Sequence, residues 1–191
     1  IPVTLAILVT GYLWKLILNP QWGALPLMLK NLGLETLIKP WLGEQQYALT
    51  ALSLVSSWQW VGIPAMMILA GLQTISDDLL EAADIAGCNG WQKILYIKLP
   101  LIKPVLGMVA ILTFVNNFNA FDVVFAMENV NGAPQYATDL IGTLFYRIGI
   151  AGQHPVGIPN PGMGAAIATV TFIMLMIGVG IMLRLTQGDK N

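Results

Sequence analysis

The chain has 191 residues, 56% of them hydrophobic and only 10% charged, with a formal net charge of −1 and a mean hydropathy of +0.70. Soluble domains carry about 25% charged residues, so this shortfall points to a membrane protein, and the balanced charge offers nothing for nucleic acid to bind. The single cysteine excludes a disulfide framework or a Cys-based zinc site within the chain. The sequence opens on Ile1 inside an apolar run, which reads as a fragment and not as a natural start.

Residues 1–18 carry one charge, Lys15. They are expected to form a nearly spanning helix, since about 20 residues cross a bilayer. Trp14 and Lys15 suit its interfacial end, and Asn19-Pro20 stops it. Residues 21–44 form a linker punctuated by Gly23, Pro26, Gly33, Pro40 and Gly43. Inside it, residues 25–37 read either as a short amphipathic helix on the membrane surface or as an ordered loop. Residues 45–76 contain no charge and predict a spanning helix over about 46–75. Its polar residues Ser53, Ser56, Ser57 and Gln59 stand beside Trp58 and Trp60, and Gly62 and Pro64 predict a kink.

Residues 76–103 hold most of the charge in the middle of the chain. Ser76 suits a helix N-cap, and Asp77 and Asp78 follow in the first turn, where the macrodipole favours negative charge. Gly87 is placed to stop this helix in the left-handed conformation. Asn89 with Gln92 three residues on predicts a capping box for a second short helix. Pro100 and Pro104 then mark the entry to a spanning helix over about 104–127. That run contains Asn116, Asn117, Asn119 and Asp122. At about 100° per residue, Asn116, Asn119 and Asp122 share an arc of about 120°, and Phe114, Phe118, Phe121 and Phe125 share another of about 60°. A long loop rich in Gly and Pro fills 128–162, and a last helix is expected over about 163–184, with Gly164-x-x-x-Ala168 permitting close helix packing.

The spacing in the charged segment is specific. Glu81-Ala82-Ala83, three residues, Gly87, nine residues, then Ile97-x-Leu99-Pro100 resembles the EAA loop of importer permeases of the ATP-binding-cassette (ABC) superfamily. Trp14 to Pro20, the run Ala70-Gly71-Leu72-Gln73-Thr74-Ile75-Ser76, and Phe121-Asp122 resemble its carbohydrate branch. The resemblance covers nearly the whole chain, with local departures at Ala86-Gly87-Cys88 and Asn131-Gly132-Ala133-Pro134.

The resemblance implies an all-α membrane protein, a type I importer permease bundle with four of a usual six helices in this sequence. It also implies a multi-pass position in the inner or plasma membrane, with loop 76–103 and the C-terminus cytoplasmic. Glu81, Ala82, Ala83, Asp84, Gly87, Ile97, Leu99 and Pro100 would couple to an ATPase. The implied partners are a second permease subunit, two nucleotide-binding ATPase subunits that hold ATP and Mg, an extracytoplasmic solute-binding protein, and a sugar as substrate. Lys93, Lys98, Lys103, Arg184 and Lys190 would then face inward against Lys15, Lys30, Lys39 and Arg147 outward, a small bias in the expected direction.

No G-x-x-x-x-G-K-[ST] phosphate loop occurs, so the chain is not expected to hydrolyse ATP alone or to bind a cofactor. His154, the single histidine, lies in the Gly/Pro loop and reads as solvated, and Cys88 reads as a small apolar residue. No catalytic constellation or metal set can be assembled. Polar residues at membrane depth usually face a bundle interior or wet cavity. Asn116, Asn119, Asp122 and Gln59, with Trp58 or Trp60 to stack on a sugar face, are therefore the candidate solute path. The alternative assigns the asparagines to inter-helix hydrogen bonding. Alternative functions are a permease for another small solute, a membrane assembly subunit without a path, or a membrane-embedded enzyme.

Overall fold

The structure, a computed structural model, describes residues 2–153 and 155–187. His154 and Lys190, on which the sequence readings touched, lie outside these residues. The described elements are helical. In order they are α1 (Ile7–Ile17), α2 (Ala24–Asn31), α3 (Gln45–Trp60), α4 (Gly62–Gln73), α5 (Asp77–Ile85), α6 (Gly90–Lys93), α7 (Leu99–Phe118), α8 (Phe121–Glu128), α9 (Ile141–Tyr146) and α10 (Pro161–Gln187). Two π-helical stretches, Ile94–Lys98 and Arg147–Ala151, continue α6 and α9.

All four expected apolar segments are helical, with shifted bounds. The first forms an α-helix only over Ile7–Ile17, behind a 3-10 turn at Pro2–Thr4, and is shorter than the ~20 residues that cross a bilayer. The second is two helices, Gln45–Trp60 and Gly62–Gln73, broken at Val61. Pro64 has no N–H to bond the carbonyl four residues back, at Trp60, which accounts for the break at the expected kink. Among the described residues, Gly90–Phe118 and Pro161–Thr186 are each long and apolar enough to span, and Gln45–Trp60 with Gly62–Gln73 makes a third span if the broken pair is counted as one.

Two bounds differ for clear reasons. Neither Pro100 nor Pro104 stops the helix: α6, the π turn and α7 run on as one rod. Pro100 removes a backbone bond and crowds the carbonyl of Tyr96, and the wider π turn over Ile94–Lys98 accommodates both effects. The helix expected over 104–127 instead breaks at Asn119-Ala120. Asn119 N–H turns back to Asn116 O (3.1 Å) and Phe121 N–H to Asn119 O (2.8 Å) before α8 starts. The last helix begins at Pro161, in the first helical position that suits proline, and Asn160 caps it by accepting from Met163 N–H at 3.0 Å. In the linker, the helical alternative holds over Ala24–Asn31.

The chain forms two compact units. One comprises residues 1–61 and 116–173, the other 62–115 and 174–191. The first is centred on Leu18, Ala51, Leu52, Val55, Val123, Val124 and Met127. Here α1 packs closely on α8, because Gly11 leaves room: a Cβ there would stand 2.4 Å from Ala126 Cβ. Gly149 and Gly164 meet in the same unit, with a Cβ on Gly164 falling 2.8 Å from Gly149 Cα. Of the small pair noted in the sequence, Gly164 is buried and Ala168 is exposed. The second unit uses the same device, with Gly71 against Val105, Gly107 against Thr186 and Gly178 against Phe114.

Candidate functional site

Two features stand out, one in each unit. The first is the cavity at the break between α7 and α8. It measures about 260 Å³ and is lined by Phe118, Asn119, Phe121, Gly142, Phe145 and Tyr146. The break makes the site: had the helix continued, Asn119 would sit on a regular helical face. Gly142 permits α9 to approach, since a Cβ there would lie 3.3 Å from Phe121 Cβ. Phe121 stacks on Phe125 with ring centroids 5.4 Å apart and lies 5.2 Å from Tyr146. The result is a concave aromatic wall with one amide that offers both donors and an acceptor.

The other candidate path residues sit elsewhere. Asn116 is exposed and contributes its carbonyl to the turn. Asp122 is exposed in the first turn of α8, where a carboxylate suits the helix dipole. Trp58 meets Trp14 edge-on at 5.5 Å and lines a separate apolar cavity with Leu5, Thr10, Leu13, Trp14 and Ile17. Gln59 is buried and donates to the carbonyl of Leu5 at 3.1 Å, tying α3 to the start of the chain. Trp60 is partly exposed. The structure therefore brings Asn119 together with the phenylalanines and not with the tryptophans. The Gly and Pro content of 128–162 reads as one loop and hides Phe145 and Tyr146; the mostly apolar stretch Leu140 to Ile150 is the signal for a helix there.

The second feature is the segment 76–98. Ser76 is extended at the N-cap position but makes no side-chain cap bond, contrary to the sequence expectation. The predicted turn at Gly87 is present, with φ +78°. Cys88 N–H bonds Ala83 O at 3.0 Å and Gly87 N–H bonds Asp84 O at 2.9 Å, the paired pattern of a Schellman stop. The capping box is present too: Asn89 Oδ1 accepts from Gln92 N–H and Gln92 Oε1 from Asn89 N–H, at 2.9 and 2.8 Å. Asp84 pairs with Lys93 and so links α5 to α6. Of the motif residues, Glu81, Ala82, Gly87, Leu99 and Pro100 are exposed, Ile97 is half-buried and Ala83 is buried. Around them Ile85, Trp91 and Tyr96 are 90%, 73% and 75% exposed, and Leu79, Ile94 and Leu95 are exposed as well. Among the described residues there is no cluster of His, Cys, Asp or Glu able to hold a metal.

Long apolar helices, with glycines at close helix contacts inside each unit, define a multi-helix membrane protein. Residues 1–188 match the family described as "Binding-protein-dependent transport system inner membrane component", and the chain belongs to that family, the permeases of ABC importers. It is 30% identical over 192 residues to the arabinooligosaccharides transport system permease protein AraP of Bacillus subtilis, covering 100% of this chain and 58% of that protein. It is also 30% identical to the trehalose/maltose transport system permease protein MalF of Thermococcus litoralis, over 92% of this chain and 56% of that one. The chain thus spans a little over half the length of these relatives. In fold it is similar to a crystal structure of a bacterial ABC transporter involved in the import of the acidic polysaccharide alginate, with TM-score 0.78, 23% identity, and coverage of 100% of this chain and 63% of the other.

Proposed function

We propose that the chain is the transmembrane part of an ATP-driven importer for a sugar or oligosaccharide, and that the solute passes the cavity at Asn119. The observation that carries this reading is the helix break, which sets one amide among four aromatic side chains. Aromatic faces suit the apolar faces of a pyranose or furanose ring, and an amide suits its hydroxyls. The similarity to proteins named for arabinooligosaccharides and for trehalose and maltose supports a carbohydrate. A related structure is described as an alginate transporter in complex with an alginate pentasaccharide-bound periplasmic protein, which supports delivery by an external binding protein. Asn116, Asp122, Trp58 and Trp60 then belong to the walls away from this cavity, and Gln59 to the scaffold.

Energy in this reading comes from two ATPase subunits, which carry ATP and Mg, and a second permease subunit completes the path. The contact is segment 76–98, in which Ile85 and Trp91 supply apolar area and Glu81 supplies a charge for a basic partner. ATP-driven closure of the ATPases shifts the permease between inward-open and outward-open states.

The test is uptake by Asn119→Ala at matched membrane level, across maltose, trehalose, arabino-oligosaccharides and alginate oligosaccharides. Loss of one solute hydrogen bond should weaken uptake roughly tenfold, about 1.4 kcal/mol, with assembly and basal ATPase activity retained. Wild-type uptake and selectivity would make the break structural. Orientation has its own test. Cys88, the single thiol, is half-buried beside the proposed contact. A membrane-impermeant maleimide is expected to label it only from the cytoplasmic face, and less when the ATPase is bound. Labelling from outside intact cells would invert the topology.

A further inference from the structure

An ion pair between buried Arg147 and half-buried Asp139 stands next to the Asn119 cavity and makes no part of it. Arg147 is 3% exposed. Its Nη2 donates to Asp139 Oδ2 at 2.6 Å and its Nη1 to Asp139 Oδ1 at 3.1 Å. Nη1 also donates to the carbonyl of Val130 at 2.9 Å, so one guanidinium ties both ends of loop 130–139. The buried Thr143 hydroxyl accepts from Leu140 N–H and donates to the same Asp139 carboxylate, each at 2.8 Å. The guanidinium lies 5.3 Å from the ring of Tyr136. Gly132 fits tightly under this knot, since a Cβ on it would stand 2.8 Å from Asp139 Cβ.

Stability alone does not call for such a pair. Two well-packed apolar residues in place of a buried ion pair are often neutral or better. What a guanidinium fork on a carboxylate supplies is fixed distance and fixed angle together. The groups it fixes are the cavity wall. Asp139 precedes α9 and Arg147 follows it, and between them lie Gly142, Phe145 and Tyr146, all of which line the cavity. The helix that forms this wall is gripped at both ends by one ion pair.

We propose that Arg147 and Asp139 are positioning residues for the solute path: their forked pair sets the stance of α9, and with it the aperture between Tyr146, Phe145 and Asn119. The pair touches no solute. The inference rests on the reading of the Asn119 cavity as a wet path, and the experiment separates the two.

The reporter is Asn119→Cys in a Cys88→Ser background, in the complete transporter in open membrane sheets that expose both faces, and the probe is a small membrane-impermeant methanethiosulfonate. Arg147→Lys keeps the charge and loses the fork. The double variant Arg147→Met/Asp139→Leu removes both charges and leaves none unpaired, which keeps folding intact where a single truncation would not. The labelling rate at Asn119→Cys is expected to change about tenfold in both. Native Cys88, in chains carrying the same changes but not the reporter, should label at its unaltered rate. Equal labelling of Asn119→Cys with and without the changes would overturn the positioning role and leave the cavity reading standing. No labelling beside native Arg147 would remove the wet cavity, and the positioning role with it. A parallel change at Cys88 would indicate general loss of fold and overturn positioning as well.

Discussion

Gly164→Val is expected to unfold the crossing between α10 and the Arg147–Ala151 turn. A Cβ on Gly164 would lie 2.8 Å from Gly149 Cα, and one on Gly149 would lie 3.0 Å from Gly164 Cα. Both obstacles are backbone, so no side chain can swing aside. The first turn of α10 must move off, and the bond from Asn160 N–H to Ile148 O, 3.0 Å long, goes with it. Overpacking of this kind costs ~1–3 kcal/mol and sometimes more. The check is thermal unfolding of the detergent-solubilised protein beside Gly180→Val, a position on the same helix with nothing within 4 Å of its would-be Cβ. A clear fall in melting temperature is expected for Gly164→Val against a small one for Gly180→Val. Equal melting of the two would show that the crossing tolerates expansion.

The second large effect is functional and falls at Gly87. Space is not limiting there, since a Cβ on Gly87 would meet nothing within 4 Å; the constraint is φ +78°. A left-handed backbone costs an ordinary L-residue ~1–2 kcal/mol, and a β-branched one more. Asparagine visits this region readily. Gly87→Val is therefore expected to leave the chain in the membrane but to abolish solute-stimulated ATPase activity of the reconstituted complex, whereas Gly87→Asn retains most of it. Glu81→Lys should uncouple as well, by reversing the charge offered to the partner. Stimulation at the wild-type level in Gly87→Val would remove the coupling role, and equal loss in both Gly87 variants would mean that the methyl-free surface matters and not the turn.

The charged segment was the most legible part of the chain, because its signals are local. Gly87 and the Asn89–Gln92 box act within a few residues, so the chain's order alone specifies them. Ser76 was the exception: residue type and position fit a cap, yet its hydroxyl makes no such bond. The break at Asn119-Ala120 was illegible to a periodicity argument, since polar and aromatic stripes can be drawn through any run assumed to be continuous. The signal lay in composition: asparagine competes with helix by bonding locally, and three of them fall within four positions. The Arg147–Asp139 pair escaped for a different reason. Its partners are eight residues apart, about 12 Å along a regular helix and beyond the (i, i+3) and (i, i+4) pairs that meet on one, and only the turn of the chain into α9 brings them together. Helix α9 was missed because Gly142 and Gly149 look like loop residues; both serve close approach instead.

The segment between Asp77 and Lys98 is closed on itself by the Schellman stop, the reciprocal cap and the Asp84–Lys93 pair. Its order therefore does not wait for a partner. A segment that folds only on contact loses chain entropy at that moment and binds more weakly for its area. One that is already shaped gives up mainly the rotamers of Trp91, Tyr96 and Glu81. If this loop is the proposed ATPase contact, docking and release there should be quick and repeatable, with little change in its amide hydrogen exchange between the bound and free states.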